Sequence, residues 1–368
     1  MKRSATAVPT DTLVLGIETS CDETSVALVR GGQRVLANIV SSQVDLHQQY
    51  GGVVPEIAAR QHMAAILPVL DEAFAASGAK LEAIDACAVT AGPGLAGALL
   101  VGLNAAKAIA FARDLPLLGV NHMEAHIYAN WLAGLPGAPG RPPAEPPLPA
   151  LCLIVSGGHT ELVLMRSHGV YELVGQTRDD AAGEAFDKVA RILGLPYPGG
   201  PAIQQAAQGN LGATRPGNPT AFALPRAAMR GSYDFSFSGL KTAAHRLIDE
   251  QAGVEGVARL TREPDLLADL AASFQEAVVD ALVTRTLAAA EHHRVGGIML
   301  AGGVAANARL RDVIQARSSL PVRIPPLAYC TDNAAIVAGA GYYALKAGRV
   351  ADLTLDIDPN LRLAEAAF

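Results

Sequence analysis

The stretch GVNHMEAHIYAN, residues 119–130, sets two histidines, His122 and His126, four positions apart. In a helix, positions i and i+4 share a face about one turn apart, which suits two imidazoles on one metal ion. The alternative is two polar residues that cap or solvate a helix. A zinc-peptidase helix also needs a glutamate directly after the first histidine, as general base. Here Glu124 stands two positions on, roughly 200° around the helix, and points away from the metal face. A third ligand is on offer at Asp332, in AYCTDNAAIVAGAG. From spacing alone, Asp332 reads first as the N-cap of a helix beginning near Ala334. Read as ligands, two histidines and one carboxylate leave coordination positions open and suit Fe(II) or Zn(II).

Three glycine turns form a second set. IVSGGHTEL places Ser156, Gly157 and Gly158 between strands, where amides without a shielding Cβ can approach a phosphate. LAGGVAANARL is a strand–glycine–helix turn that offers helix N-terminal amides and Asn307 to a nucleotide. PYPGGPAI supplies Gly199 and Gly200. Any one of them could be a mere turn; three on one chain favour a nucleotide cleft. In DDAAGEAFDKVAR, Glu184, Asp187 and Arg191 share a helix face. That face is either a capped, solvated surface or one in which Asp187 accepts from ribose hydroxyls. Residues 215–246 carry Arg215, Arg226, Arg230, Lys241 and Arg246 against one acid, Asp234, with Tyr233, Phe235 and Phe237 among them. This is a phosphate-contacting or base-stacking patch, or else aromatic core with solvated arginines.

Elements that must position these residues follow from the apolar pattern. TLVLGIETSCDETSVALVRGGQRVLANIV reads as strand, polar turn, strand, Gly-Gly hairpin, strand. IAARQHMAAILPVLDEAFAASG and AGALLVGLNAAKAIAFARD are helical in period, with the strand IDACAVTAGPGL between them. After the Pro/Gly-rich AGLPGAPGRPPAEPPLPA the opening pattern returns in ALCLIVSGGHTELVLMRSHGVYELVGQT. We read an approximate duplication of the β-turn-β-β start, and thus an α/β chain of two halves around a cleft, in the manner of actin, Hsp70 and sugar kinases. The expected organisation is a loose tail at 1–11, an N-terminal lobe at 12–132 and a Pro-rich linker or insertion at 133–150. A C-terminal lobe at 151–330 and a segment at 331–368 that returns toward the first lobe complete it. The 368 residues fit two domains, and 50% hydrophobic against 17% charged residues supports a sizeable core. A formal charge of −6 excludes a generally basic nucleic-acid binder, so any RNA contact is a local patch. Four separated cysteines without a C-x-x-C pair fit reduced, mostly buried thiols. The longest apolar region, 96–112, is broken by Asn104 and Lys107, so the expectation is a soluble cytoplasmic protein with no membrane span.

Together, GIETSCDET, YGGVVPE, TAGPGL, HMEAH, VSGGHTEL, DDAAGEAFDKVAR, YPGGP, DFSFSGLKT, AGGVAAN and CTDNAA occur in one family's order, from about Leu13 to about Ala351. They resemble the bacterial tRNA N6-adenosine threonylcarbamoyltransferase (TsaD) family, once labelled O-sialoglycoprotein endopeptidase for its histidine motif. The resemblance implies a two-lobed ASKHA fold, duplicated and RNase H-like, with an interdomain cleft. It also implies transfer of a threonylcarbamoyl group from threonylcarbamoyl-AMP to N6 of adenosine-37 in tRNAs reading ANN codons. His122, His126 and Asp332 match the family's metal ligands, for one divalent metal per subunit, Fe(II) first and Zn(II) as alternative. Ile154, Val155, Ser156, Gly157, Gly158, Asp187, Gly200 and Asn307 match the residues that hold the adenylate. No catalytic nucleophile is assigned. The implied partners are tRNA, a metal-free ASKHA paralogue and a small P-loop ATPase. Two features depart from the pattern: Ala125 replaces the usual glycine, and the 133–150 segment is longer. A metallopeptidase and a non-enzymatic ASKHA scaffold are the competing readings; Glu124 argues against the first, and the complete ligand set against the second.

Overall fold

The apolar run LVLGIE forms a strand, β1 (Leu13–Glu18), buried along its whole length, because both faces of its sheet are covered. The computed structural model describes residues 8–133, 145–226 and 231–363. After β1 come β2 (Glu23–Arg30), β3 (Arg34–Ser42), α1 (Val44–Gln48), α2 (Pro55–Ser77), β4 (Ala86–Gly92), α3 (Ala96–Arg113), β5 (Leu117–Asn121) and α4 (His122–Tyr128). The chain continues with β6 (Ala150–Val155), β7 (Thr160–Ser167), β8 (Val170–Gln176), α5 (Ala182–Ile192), α6 (Gly199–Ala207), α7 (Ser238–Ala252) and α8 (Val257–Arg262). It ends with α9 (Pro264–His293), β9 (Gly297–Ala301), α10 (Ala308–Arg317), β10 (Val322–Arg323) and α11 (Ala334–Lys346).

Two compact units result: Met1–Pro146 with Arg166–Tyr171 and Pro325–Phe368, and Pro147–Met165 with Glu172–Ile324. The first carries a sheet of order β3-β2-β1-β4-β5, the second one of order β10-β9-β6-β7-β8. In each, the first strand pairs antiparallel with the second and parallel with the fourth. The two sheets therefore share one topology, and the repeat seen in the strand–turn–strand rhythm is a repeat of fold. Of the expected linker and tail, residues 134–144 and 1–7 lie outside the described residues. Thr12 closes a turn at the tail's end by donating from its amide to the Pro9 carbonyl.

In the first unit, α2 buries Ala58, His62, Ile66, Val69 and Ala73, a helical spacing of three and four. Pro opens this helix, and Gly78 closes it at φ 66°, a left-handed C-cap. By length and apolarity α3 qualifies as a membrane-crossing segment, but here it packs on β4 and α2. It leaves Leu100 and Phe111 exposed, as α2 leaves Met63 and Leu67. The helix α11 is built of small residues and lies against β1. A Cβ on Gly16 of β1 would stand 2.3 Å from the Ala334 carbonyl oxygen. Glycine there is what lets the first turn of α11 lie on the strand and brings the preceding loop, with Asp332, over the sheet.

Candidate metal centre

Asn121 ends β5 and caps α4, its side-chain oxygen accepting from the amides of Met123 and Glu124 at 2.8 and 3.2 Å. This fixes the first helical position at His122 and puts His126 one turn on, with ring centroids 4.7 Å apart. Asn333 is the N-cap of α11, accepting from Ala335 and Ile336. The cap expected of Asp332 thus belongs to its neighbour, and the Asp332 carboxylate is left to face the histidines. Its Oδ1 lies 3.0 Å from Nε2 of His126 and 3.6 Å from Nε2 of His122. One ligand atom from each of the three side chains falls within a 4.8 Å group.

Glu18, at the end of β1, is wholly buried and stands behind His122. Its Oε2 is 3.1 Å from His122 Nδ1 and accepts from Thr90 Oγ1 at 2.8 Å, while Oε1 accepts from the Ser20 amide. An ionised carboxylate only accepts, so Nδ1 carries the proton and Nε2 is turned toward Asp332. His126 has no such support: it is buried and its Nδ1 is without a hydrogen-bond partner.

Burial disfavours charge on His122, yet Asp332 and Glu18 outweigh it and raise the imidazole to about 9. Burial likewise raises Glu18, but the nearby His122 overcomes it and holds the carboxyl below its ordinary value. Glu23 is pushed up to about 10 by burial, then by the charges of Asp332 and Asp22. Carboxylates are in excess here, a field that favours a cation. The donor set fits a divalent metal. Bonds of ~2.1 Å at ordinary coordination angles put neighbouring ligand atoms roughly 3.0–3.4 Å apart; Asp332 Oδ1 stands 3.0 Å from His126 Nε2 and 3.6 Å from His122 Nε2. The set is two imidazoles and one carboxylate, with one imidazole oriented by a carboxylate behind it.

Glu124 takes no part. It is 2% exposed and holds Arg349 through Nη2 at 2.8 Å and Nη1 at 3.3 Å, and it accepts from Tyr171 Oη at 2.9 Å. Burial pushes the Cys87 thiol up to about 12 and raises Cys21 and Cys152, which disfavours the thiolate at these three positions.

In the second unit, β6 and β9 run parallel, so the turns at 156–158 and 302–303 leave neighbouring strand ends on one edge of the sheet. Ile154 and Val155 are buried strand residues, able to meet a ligand through backbone alone. The Ser156 carbonyl accepts from Gly183 at the start of α5. A Cβ added at Gly157, Gly158, Gly200 or Gly303 would meet nothing within 4 Å, and none of the four has positive φ. Neither space within the chain nor backbone conformation demands glycine at these positions. Asp187 accepts from the Gly199 amide at 2.7 Å, and burial raises its pKa. Asn307 is engaged at both ends of its amide: it caps α10 through Leu310 and donates to Gln275. Glu184 pairs with Lys188. The basic patch at 215–246 disperses. Arg215 pairs with Asp269, Arg226 with Asp280 and Lys241 with Asp180. Phe235 and Phe237 are core, and Arg230 lies outside the described residues.

Sequence reasoning missed Glu18, Asn333 and the Arg349–Tyr171 anchor of Glu124. Glu18 had a signal, as the one acid that ends an otherwise apolar strand. Arg349, 225 residues from its partner, had none.

Residues 34–339 match the TsaD family, described as tRNA N6-adenosine threonylcarbamoyltransferase. A relative of that name from Thermomicrobium roseum is 56% identical over 95% of this chain and 97% of its own. Another, from Geobacillus kaustophilus, is 52% identical over 96% and 97%. Among solved structures, HypF from T. kodakarensis is similar at a TM-score of 0.56 and 16% identity, over 93% of this chain and 49% of that one. That likeness shows the fold, an ASKHA-type α/β architecture.

Proposed function

This chain belongs to the tRNA N6-adenosine threonylcarbamoyltransferase family, and we propose that it takes the threonylcarbamoyl group from threonylcarbamoyl-AMP and places it on N6 of adenosine-37 in tRNAs reading ANN codons. It is an acyltransferase that modifies tRNA. The observation that carries the finer reading is the convergence of His122, His126 and Asp332 with Glu124 committed elsewhere.

Those three side chains would hold a divalent metal, Fe(II) first and Zn(II) as alternative. Bound there, such an ion supplies Lewis-acid stabilisation of charge on the departing phosphate. Glu18 keeps the His122 proton on Nδ1 and so leaves Nε2 for coordination. The amides of Gly157 and Gly158 would donate to phosphate oxygens, unobstructed by side chains. Asp187, oriented by the Gly199 amide, would accept from a ribose hydroxyl. Ile154, Val155, Ser156 and Gly200 would line the same adenylate through backbone. Asn307, already a cap, would hold the α10 turn in shape and offer its remaining hydrogen-bonding capacity. No covalent intermediate on the enzyme is needed; orientation of the carbonyl toward the incoming amine does the work.

Partner subunits, a metal-free paralogue and a P-loop ATPase, complete the reading, set in the cytoplasm. The exposed apolar residues Met63, Leu67, Leu100 and Phe111 support a protein docking on α2 and α3. The test supplies threonine, bicarbonate, ATP, the partner subunits and unmodified tRNA, then analyses nucleosides by mass spectrometry. Threonylcarbamoyladenosine is the expected product; its absence with active partners refutes the reading. Glycoprotein cleavage abolished by His122→Ala would restore the peptidase in its place.

A further inference from the structure

Beside the edge strand β8, the second unit holds a cavity of about 720 Å³. The segment 231–234 forms one wall and runs so close to β8 that a Cβ on Gly175 would stand 2.5 Å from the Tyr233 carbonyl oxygen. The one carboxylate in the lining, Asp234, is already taken: it accepts from the Gln176 amide and from Arg178 Nε. Arg285, from α9, also lines the cavity. It donates from Nη1 to the Ser232 carbonyl at 2.6 Å and has no carboxylate partner among the described residues. Several basic residues elsewhere in this unit, among them Arg215, Arg226, Lys241, Arg309 and Arg317, are ion-paired; Arg285 is set apart by lining a cavity. Beside Arg285, the Tyr233 ring stands 5.8 Å from the exposed His292 ring. A half-buried guanidinium without a carboxylate partner among the described residues, in a cavity that Tyr233 and His292 also line, is a receptor for a phosphate with a base beside it.

We propose that this cavity seats a phosphodiester of the tRNA substrate, with Arg285 donating to a phosphate oxygen and Tyr233 and His292 offering stacking faces. The assignment rests on the proposed transfer to tRNA. It accounts for how a chain of charge −6 holds a polyanion through a local contact.

The test measures binding of unmodified tRNA to the full chain across a salt series, for wild type, Arg285→Met and Arg285→Lys. The expected result is about tenfold weaker binding for Arg285→Met at low salt. The slope of log affinity against log salt should fall by roughly 0.7–0.9, one phosphate's share, and Arg285→Lys should restore most of that slope. Unchanged affinity and slope in Arg285→Met overturns the proposal while leaving the transferase reading intact, provided wild type still modifies tRNA. Weaker binding with an unchanged slope overturns it too, as it marks a role in shaping the 231–234 wall. Loss of inorganic phosphate or AMP binding in Arg285→Met, with tRNA affinity unchanged, assigns the cavity to a small anion instead. A wild-type chain that neither binds nor modifies tRNA refutes both readings.

Discussion

Glu18→Gln removes one charge at a wholly buried position and nothing in volume. The carboxylate has three neighbours: the Ser20 amide at Oε1, and Thr90 Oγ1 and His122 Nδ1 at Oε2. A glutamine that keeps its oxygen on Ser20 presents an NH2 group to the other two. Thr90 can rotate its hydroxyl to accept. His122 can adapt by moving its ring proton to Nε2, where it faces Asp332 and occupies the metal-binding lone pair, or by giving its Nδ1–H to Ser20 Oγ, 3.2 Å away. The flipped amide keeps the His122 contact but sets NH2 against the Ser20 N–H, donor against donor. Moving the proton keeps all three hydrogen bonds but takes Nε2 away from a metal, while the flipped amide, which leaves Nε2 available, forfeits one buried hydrogen bond, about 1–3 kcal/mol. Loss of an orienting carboxylate behind a metal-bound histidine weakens metal binding about 10–100-fold, or ~1.4–2.7 kcal/mol, so the two estimates agree. The assay is metal content by mass spectrometry after dialysis against chelator-buffered Zn(II), with circular dichroism to confirm the fold. A folded Glu18→Gln protein whose affinity stays within about twofold of wild type would refute the orienting role.

His126→Ala should stay folded and lose its metal equivalent together with activity; a full equivalent retained in the purified variant would show that the ligand set is wrong. Gly157→Ala meets open space at an ordinary backbone conformation, so its unfolding free energy should match wild type while AMP affinity falls. Gly183→Ala puts a Cβ 2.6 Å from the Ser156 carbonyl oxygen and should cost about 1–3 kcal/mol in denaturant unfolding; equal stability of the two variants, or unchanged AMP binding by Gly157→Ala, contradicts the account. His62 has its pKa lowered by burial and is held neutral between Thr24 and the Cys21 carbonyl. As pH falls below about 6.5 the unfolded chain takes up a proton that the folded one resists, so stability drops, by at most about 1.4 kcal/mol per pH unit for this proton. His62→Gln should flatten that acid limb, and parallel pH profiles for the two proteins would rule the contribution out.

What the sequence made legible was local. The i, i+4 spacing of His122 and His126 and the repeated strand–turn–strand rhythm both survive into the structure, because each is set within one element or one hairpin. Asp332 was ambiguous because an N-cap and a ligand use the same residue type in the same kind of turn. The neighbouring Asn333 takes the cap, so the N-cap reading of Asp332 fails. The basic patch misled for the opposite reason. Its arginines looked unopposed over 215–246, but the carboxylates that pair with Arg215 and Arg226 sit 54 residues further on, in α9. Distance hid Arg285 as well: nothing in the register of a 30-residue helix announces that its arginine will line a cavity with segment 231–234, more than 50 residues earlier.

The two glutamates near α4 exchange the roles that the peptidase resemblance would give them. In such an enzyme the glutamate of the histidine helix must stand beside the metal as a base. Here it is pinned on the opposite side by a two-pronged contact from Arg349 and a hydrogen bond from Tyr171. Truncating Arg349 would leave a buried charge, a change that typically costs about 3–5 kcal/mol. So Glu124 is held in place by an energy that no small movement recovers, and its work is to fasten the helix. The carboxylate that does reach the histidines, Glu18, comes from β1 and meets His122 at Nδ1, behind the ring rather than on its Nε2 side. From there it orients a ligand and cannot deprotonate a water on the far side. The histidine pair is thus placed to face a metal, but neither Glu124 nor Glu18 is placed to be a hydrolase's base.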